Sequence, residues 1–310
     1  PGLYDSQHAT HPTWKFFGSE TSSAIRSRGI YNNNNTQCSS YDNSVVGWGQ
    51  SAENSWRDVN TRDWIAGEFI WTGFDYLGEP TPYEWPAKSS YFGILDTANF
   101  PKDIFYFYQS RWNYDGPTMV HVVPMNWTNW GQGQSVRVFA YSNADSVELF
   151  LNGASLGSKT VNPSEGHLEW SVSFAPGTLE ARARKGGTVV ATDEVRTAGN
   201  AAGLSLSVDR EVIAADGRDL VFVEVDVVDS NGVIVPNAEN LIHFTVDGPG
   251  KIVGVDNGNA INHESYKGNS RSAFSGKALA IVQSEETPGL IVVSATSDGL
   301  TSADVQVTVE

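Results

Sequence analysis

The stretch Phe16-Phe17-Gly18-Ser19-Glu20-Thr21-Ser22-Ser23-Ala24 determines how the first third of the chain is interpreted. An apolar run ends in a carboxylate, which predicts a buried parallel strand whose last residue, Glu20, emerges at the carboxyl edge of a sheet. Barrel enzymes place their reactive groups at that edge. Ser22 and Ser23 are then candidates to cap the next helix. The alternative for Glu20 is an acid in the first turn of a helix, where the helix dipole favours it.

A second strand is predicted where the run from Trp64 to Tyr76 is largely apolar on both faces. The segment 42–62 between the two strands has the length and apolar spacing of a helix that connects parallel strands. A polar, proline-rich loop follows over 78–98, and 103–112 is predicted as a helix that begins with an acid. Two such β/α units are a quarter of an eightfold barrel, so they cannot bury their own apolar faces.

The composition changes near Gly116-Pro117: seven of the ten Trp lie before this point, and the chain after it is rich in Val and turns. Asn152-Gly153 and Gly186-Gly187 are hairpin signals. Alternating strands are predicted at 119–123, 135–141, 147–151, 167–174, 178–184, 204–208, 220–228, 242–246, 278–283, 291–295 and 303–309. We therefore predict barrel units over residues 1–116, a β-sandwich over 117–199 and a second β-sandwich over 200–310.

Charge and cysteine content narrow the class of ligand. The formal charge of -16 argues against a nucleic acid or an anionic membrane as a partner, because a polyanion is repelled by such a surface. Neutral ligands suit the chain better. The single cysteine, Cys38, excludes an internal disulfide. The six histidines show no ligand spacing, so we predict no metal site and no cofactor.

Four ordered blocks resemble the last third of a β-galactosidase of glycoside hydrolase family 2. The blocks are 18–29, 69–80, 90–96 and 100–103. The resemblance is close over the first 116 residues and looser over the two sandwiches, which resemble the immunoglobulin-like modules that follow the barrel in this family. It implies the C-terminal portion of a (β/α)8 TIM barrel followed by two immunoglobulin-like β-sandwich domains.

The resemblance also implies residue roles. Glu20 corresponds to the nucleophile at the end of the seventh barrel strand, and Trp71 to the aromatic floor of the sugar site on the eighth. Retaining glycosidases need two carboxyl groups about 5 to 5.5 Å apart. The family's acid/base Glu lies on the fourth strand, which this sequence does not contain. We therefore expect the upstream, N-terminal half of the same enzyme as a partner.

Further substrate contacts are predicted on the loop that follows the second strand. Glu79 is a candidate to contact sugar hydroxyls. Tyr83 and Trp85 lie between prolines, and they either shape an aglycone subsite or anchor their own loop. Trp71 itself is either a core residue or a stacking platform for a sugar ring. Three cations, Arg26, Arg28 and Lys102, could tune the pKa of Glu20, although structural ion pairing is the commoner role of such groups.

The activity implied by the resemblance is retaining hydrolysis of a terminal β-galactoside, carried by an oligosaccharide or a glycoconjugate. The alternative within the class is a β-glucuronidase or another exo-glycosidase of the family. Residues 99–102 only approximate the Asn-any-Lys pattern with which glucuronidases hold the sugar carboxylate, which favours a neutral sugar. The alternative of another class is a non-catalytic carbohydrate-binding or adhesin protein with immunoglobulin-like modules. We expect a bacterial protein with a secreted, periplasmic or cell-surface location.

Overall fold

The computed structural model describes residues 3–113 and 116–310. The chain divides between Arg196 and Thr197 into two compact units. In the described ranges, no helix is long and apolar enough to cross a membrane. Most of the regular structure is β-sheet, and all three of the helices in these ranges lie in the first unit.

The first unit begins with mixed helices and strands and continues with strands alone. The helices are α1 (Tyr4–Thr10), α2 (Ala52–Asn60) and α3 (Asp103–Trp112). The strands are β1 (Phe16–Ser22), β2 (Ile65–Trp71), β3 (Val120–Val123), β4 (Ser135–Ser142), β5 (Ser146–Leu151), β6 (Ala154–Thr160), β7 (Leu168–Ser173), β8 (Thr178–Lys185) and β9 (Thr188–Arg196). Our sequence interpretation did not include α1, β6 or β9.

Strands β1 and β2 form a parallel two-stranded sheet, which confirms the predicted parallel pairing. Two predicted details are wrong. β1 does not end at Glu20 but continues to Ser22, and it is not buried throughout, because Phe17 is 59% exposed. β2 stops at Trp71, five residues before the predicted end, since the chain beyond it turns towards the loop that contains Ser90.

Of the two helices predicted on either side of β2, α3 has the predicted length and α2 is shorter than predicted. α3 has the predicted bounds and the predicted acid, Asp103, in its first turn. α2 is only nine residues long, against the predicted covering helix over 42–62. Ser51 caps α2, with its hydroxyl accepting a hydrogen bond from the amide of Asn54, so the predicted capping by Ser22 and Ser23 is wrong.

The remainder of the first unit consists of two antiparallel sheets, with strand orders β3-β4-β7 and β6-β5-β8-β9. Asn152 and Gly153 have positive φ angles of 51° and 79° and join β5 to β6, as the hairpin signal predicted. Gly186 and Gly187 join β8 to β9 in the same way. Apolar side chains from both sheets, with buried Trp127 and Trp170, make one core.

The second unit is also built from two sheets. Its strands are β10 (Ala201–Val208), β11 (Val212–Ile213), β12 (Leu220–Asp229), β13 (Leu241–Asp247), β14 (Gly250–Asp256), β15 (Ser270–Ser272), β16 (Lys277–Ser284), β17 (Gly289–Thr296) and β18 (Ala303–Val309). The sheet orders are β10-β12-β16-β14 and β11-β18-β17-β13-β15. β12 alternates strictly between buried and half-buried residues, as a strand with one core face should. A Val-rich core packs between the sheets.

Within the first unit, α3 packs on the three-stranded sheet through a buried histidine. His121 on β3 lies 3.0 Å from Asp103 on α3 and 3.3 Å from Asp193 on β9. Its ring stacks on Tyr106, with the ring centroids 3.8 Å apart. Burial opposes protonation, but the hydrogen bonds and charges of the two carboxylates outweigh it and raise the pKa of His121 to about 9.

This arrangement predicts a pH-dependent stability of the first unit. The pKa of His121 rises from 6.5 to about 9 on folding, so its contribution is complete below pH 6.5 and is lost as the pH rises towards 9. The difference between the pKa values of His121 in the folded and unfolded chain corresponds to roughly 3 kcal/mol in the free energy of unfolding. Denaturant titrations of the chain and of His121→Gln at pH 6.5 and 9.5 measure it. Part of the pH dependence should remain, because Glu53 and Glu169 outweigh burial and raise the pKa of His167 in the same unit. A pH dependence as large in His121→Gln as in the parent would contradict this assignment.

Candidate active site

Glu20 occupies an irregular position of β1. The pairing register advances from Gly18 opposite Glu68 to Thr21 opposite Ile70, so β1 uses three residues where β2 uses two. The extra residue lies at Ser19 or Glu20, and it forms a bulge. Both side chains are exposed, whereas Thr21 is buried directly after them. The bulge therefore turns the carboxylate of Glu20 towards solvent. A second irregularity precedes it, because β2 uses three residues where β1 uses two between Phe16 and Gly18.

The chain turns sharply after the bulge. Ser22 and Ser23 have positive φ angles of 72° and 54°, a conformation that residues with a Cβ rarely adopt. The amide of Ser22 donates to the hydroxyl of Ser55 on α2, and the carbonyl of Ser22 accepts from Gln50 at 2.6 Å. A Cβ on Gly49 would lie 2.5 Å from the carbonyl oxygen of Ser23, so glycine permits this close approach. These contacts fix the backbone immediately after Glu20.

Trp71 ends β2 and pairs with Ser22, so it lies on the neighbouring strand near the Glu20 bulge. Its side chain is 36% exposed, which agrees less with a core residue than with a platform that is open to solvent. The Trp71-Thr72 peptide bond is cis. The indole nitrogen donates to the hydroxyl of Tyr76 at 3.2 Å, and the two rings meet edge to face with centroids 5.8 Å apart.

Tyr76 also donates its hydroxyl hydrogen to Oε2 of Glu79 in a very short hydrogen bond. Burial and the bond to Glu79 raise the pKa of Tyr76 to about 12. The structure thus joins two residues that were predicted separately, Trp71 and Glu79, through a tyrosine that our sequence interpretation did not assign to the site. The only sequence signal for Tyr76 was its place in the stretch 69–80.

Tyr83 and Trp85 have different environments. The one hydroxyl hydrogen of Tyr83 is shared between the carbonyl oxygens of Gln37 at 2.8 Å and Asn34 at 3.0 Å, and the hydroxyl oxygen accepts from the thiol of Cys38 at 3.4 Å. These contacts fit the loop-anchoring alternative for Tyr83. Trp85 is 81% exposed, so its ring is accessible for stacking. No contact of Tyr83 within the described ranges involves Glu20, Trp71 or Glu79.

Three buried ion pairs support the loops around these side chains. Arg26 pairs with Asp42 at 3.0 Å, Arg28 with Asp96 at 2.6 Å, and Lys102 with Asp75 at 2.6 Å. Burial raises the pKa of Asp75 to about 6 and lowers the pKa of Lys102, while their mutual attraction opposes both shifts. The three cations are therefore structural partners of aspartates, and none of their ion pairs in the described part of the chain is with Glu20.

Glu68 lies in the middle of β2 and is hydrogen-bonded to hydroxyl groups of neighbouring elements. Its Oε2 accepts from the hydroxyl groups of Thr21 at 2.8 Å and Ser55 at 3.4 Å. Burial raises the pKa of Glu68. In residues 3–113 and 116–310, no group of three His, Cys, Asp or Glu side chains is close enough to hold a metal ion.

The chain is similar to proteins and families that are already known. A family model described as glycoside hydrolase family 2 C-terminal domain 5 matches residues 204–306, and a domain of unknown function matches residues 133–191. A β-galactosidase of Bacteroides ovatus, BoGH2A, is 44% identical over 97% of the chain and 37% of its own length. A putative β-glucuronidase of Formosa agariphila is 36% identical over 81% of the chain and 24% of its own length.

A solved structure, of a β-glycosidase from Bacteroides vulgatus, superposes with a TM-score of 0.91 at 32% identity, covering 99% of this chain and 43% of that one. These matches define the class as the glycoside hydrolases. The chain belongs to glycoside hydrolase family 2. It spans less than half the length of each of these relatives, from 24% to 43%.

Proposed function

We propose that this chain contributes Glu20 as the nucleophile of a retaining exo-glycosidase that hydrolyses terminal β-D-galactosides. An oxygen of Glu20 attacks the anomeric carbon while the bond to the leaving oxygen breaks and an acid/base Glu protonates that oxygen. Water, deprotonated by the same acid/base residue, then displaces Glu20 from the galactosyl ester. The substrate class is a β-galactoside on an oligosaccharide or glycoconjugate, and we propose a secreted, periplasmic or cell-surface location.

The observation that carries this proposal is the bulge at Ser19-Glu20, one strand away from the exposed ring of Trp71. Bulges occur next to active sites because they redirect a side chain without unfolding the strand. A carboxylate open to solvent beside an indole face combines an attacking group with a surface on which a sugar ring can stack. Trp85, with its exposed ring, supplies a candidate aglycone contact on the following loop.

The environment of Lys102 favours a neutral sugar over the glucuronidase alternative. Lys102 is 1% exposed, and its ammonium group binds Asp75 and the carbonyl oxygen of Arg26. A buried and paired ammonium group is poorly placed to bind a sugar carboxylate. Because one relative is a putative β-glucuronidase, the glucuronidase alternative also needs a test. The labelling experiment described below distinguishes a galactoside substrate from a glucuronide.

We propose that an upstream half of the barrel supplies the acid/base Glu. Strands β1 and β2 pair only with each other within the described residues. Phe17 and Phe69 contact each other edge to face and are 59% and 68% exposed. Exposed aromatic residues on a short parallel sheet are a surface that further strands would cover.

Covalent labelling tests the proposed function. The complete barrel is treated with a 2-deoxy-2-fluoro-β-galactoside that carries a good leaving group, and with the matching fluoroglucuronide. We expect a stable galactosyl ester on the peptide that contains Glu20, identified by mass spectrometry, because fluorine at C2 slows the second displacement. A label on another residue would contradict the nucleophile assignment, and labelling by the glucuronide alone would favour the second sugar class.

Replacing Trp71 by Ala tests the stacking platform. We expect KM for an aryl β-galactoside to rise roughly 2- to 12-fold, because stacking on an aromatic face contributes about 0.5 to 1.5 kcal/mol. The loss of stability should stay below the roughly 3 to 5 kcal/mol of a buried aromatic residue, since the ring is 36% exposed. Steady-state kinetics and thermal unfolding measure both effects. Unchanged KM and kcat would show that Trp71 has only a packing role.

A further inference from the structure

The carboxylate of Glu79 is held close to the sugar platform by one hydroxyl group. Tyr76 accepts from the indole nitrogen of Trp71 and donates to Oε2 of Glu79. The backbone of Tyr76 is fixed in turn, because its amide donates to the hydroxyl of Ser90 at 3.1 Å and its carbonyl accepts from the amide of Ser90 at 2.7 Å. The carboxylate is therefore held near the ring by a relay anchored to the backbone.

The charge of Glu79 is not neutralised by a cation. No ion pair in residues 3–113 and 116–310 involves Glu79, and Oε1 has no partner there, while the side chain is partly exposed. The three cations of the buried ion pairs, Arg26, Arg28 and Lys102, are each paired with an aspartate. A carboxylate with one oxygen available therefore lies beyond the nitrogen edge of the Trp71 indole.

We propose that Tyr76 is a positioning residue that holds the Glu79 carboxylate beside Trp71, where its charge selects neutral sugars against uronic acids. This inference rests on the proposed function, because it assigns specificity to the same site. Oε1 can accept hydrogen bonds from sugar hydroxyl groups, which neutral sugars and uronic acids both carry. The carboxylate of a uronic acid would instead meet a like charge, which disfavours binding.

The repulsion between two charges separated by a few ångströms at a partly exposed site corresponds to a roughly 10-fold difference in affinity. D-Galactose and D-galacturonic acid are the matched probes, because they differ only in the hydroxymethyl or carboxylate group at C6. Their inhibition constants against an aryl β-galactoside are measured at low ionic strength in the complete barrel. The ratio of the two constants isolates the response to charge from the response to ring shape.

Glu79→Gln removes the charge and keeps an oxygen that accepts from Tyr76. We expect the ratio to move about 10-fold in favour of galacturonic acid. Tyr76→Phe keeps the ring against Trp71 but releases Glu79, so we expect a smaller move in the same direction and a several-fold rise in KM with kcat within about twofold. The variant with both substitutions should show the same ratio of inhibition constants as Glu79→Gln alone, because Tyr76 acts on this ratio through Glu79.

Asp63→Asn is the control for a change in net charge, since Asp63 is exposed and precedes β2, about 20 Å from Trp71 along the strand. It should leave the ratio unchanged. If the ratio of the inhibition constants is the same in Glu79→Gln as in the parent, Glu79 does not select against uronic acids. Failure of galacturonic acid to bind Glu79→Gln detectably would lead to the same conclusion. Additive effects in the double variant would overturn the positioning role of Tyr76.

Labelling of Glu20 by the fluorogalactoside is measured in each variant. If Glu20 is labelled but the ratio of inhibition constants for galactose and galacturonic acid is unchanged in Glu79→Gln, the role of Glu79 is wrong and the proposed function is unaffected. Absence of labelling in the parent enzyme would instead remove the proposed function. The two failures are therefore distinguishable.

Discussion

Glu20→Gln should lower turnover of an aryl β-galactoside by roughly 10³-fold or more, because an amide oxygen is a poor nucleophile towards an anomeric carbon. Stability should change by no more than about 1 kcal/mol, since glutamine keeps the size and shape of glutamate. Steady-state kinetics and thermal unfolding of the complete barrel measure the two effects. The combination of a large kinetic loss with a small change in Tm separates a catalytic role from a structural one.

A matched control and a rescue experiment sharpen this result. Glu165→Gln is the same chemical change at an exposed turn of the first unit and should leave turnover unchanged. In Glu20→Gly, azide can occupy the vacated space and attack the anomeric carbon directly. The product should then be the α-galactosyl azide, because a single displacement inverts the configuration. A β-galactosyl azide, or activity in Glu20→Gln within about tenfold of the parent, would contradict the nucleophile assignment.

Lys102→Met should destabilise the first unit by roughly 3 to 5 kcal/mol, because it leaves the carboxylate of Asp75 buried without a counter-charge. Lys102 is 1% exposed and its ammonium group lies 2.6 Å from Asp75. Methionine has a similar length and shape, so the loss measures the ammonium group, with its charge and its hydrogen bond to the carbonyl of Arg26, rather than a cavity. The free energy of unfolding, obtained by denaturant titration at pH 7.5, is the quantity to compare.

Two further variants identify the source of that loss. Adding Asp75→Asn should restore most of the stability, since the unpaired charge is removed with its partner. Glu194→Gln breaks an exposed pair with Arg196 and should cost less than about 1 kcal/mol. If Lys102→Met costs no more than Glu194→Gln, the buried pair does not hold the loops as we describe.

Much of the fold could be predicted from the sequence where a few neighbouring residues suffice to define a helix end or a turn. Asp103 marked the start of α3, and Asn152-Gly153 marked the turn between β5 and β6. Hairpin signals marked the turns before β6 and β9, yet our interpretation missed both strands, as it missed β11, β14 and β15 of the second unit. All seven residues of β6 are exposed, so no apolar alternation marks it, and β14 begins at a glycine that reads as part of a turn. Pairing with a neighbouring strand, rather than burial of its own residues, stabilises β6.

The candidate site could be predicted only as separate residues. Glu20 and Trp71 followed from their positions in two ordered stretches, but the bulge depends on the register between β1 and β2, which no single strand encodes. The bond from Tyr76 to Glu79 depends on how the loop folds back to Ser90. Tyr83 illustrates the same limit, because its anchoring partners lie more than forty residues earlier in the chain.

The three buried ion pairs have a consequence for how this enzyme can diversify. Each pair joins segments that are distant in sequence: 26 to 42, 28 to 96, and 75 to 102. An insertion or deletion within these loops would pull one charge away from its partner and leave the other buried, at a cost of several kcal/mol. We therefore expect lineages of this sequence to acquire new preferences by exchanging single side chains between Glu79 and Trp85, with loop lengths preserved, rather than by lengthening or shortening the loops.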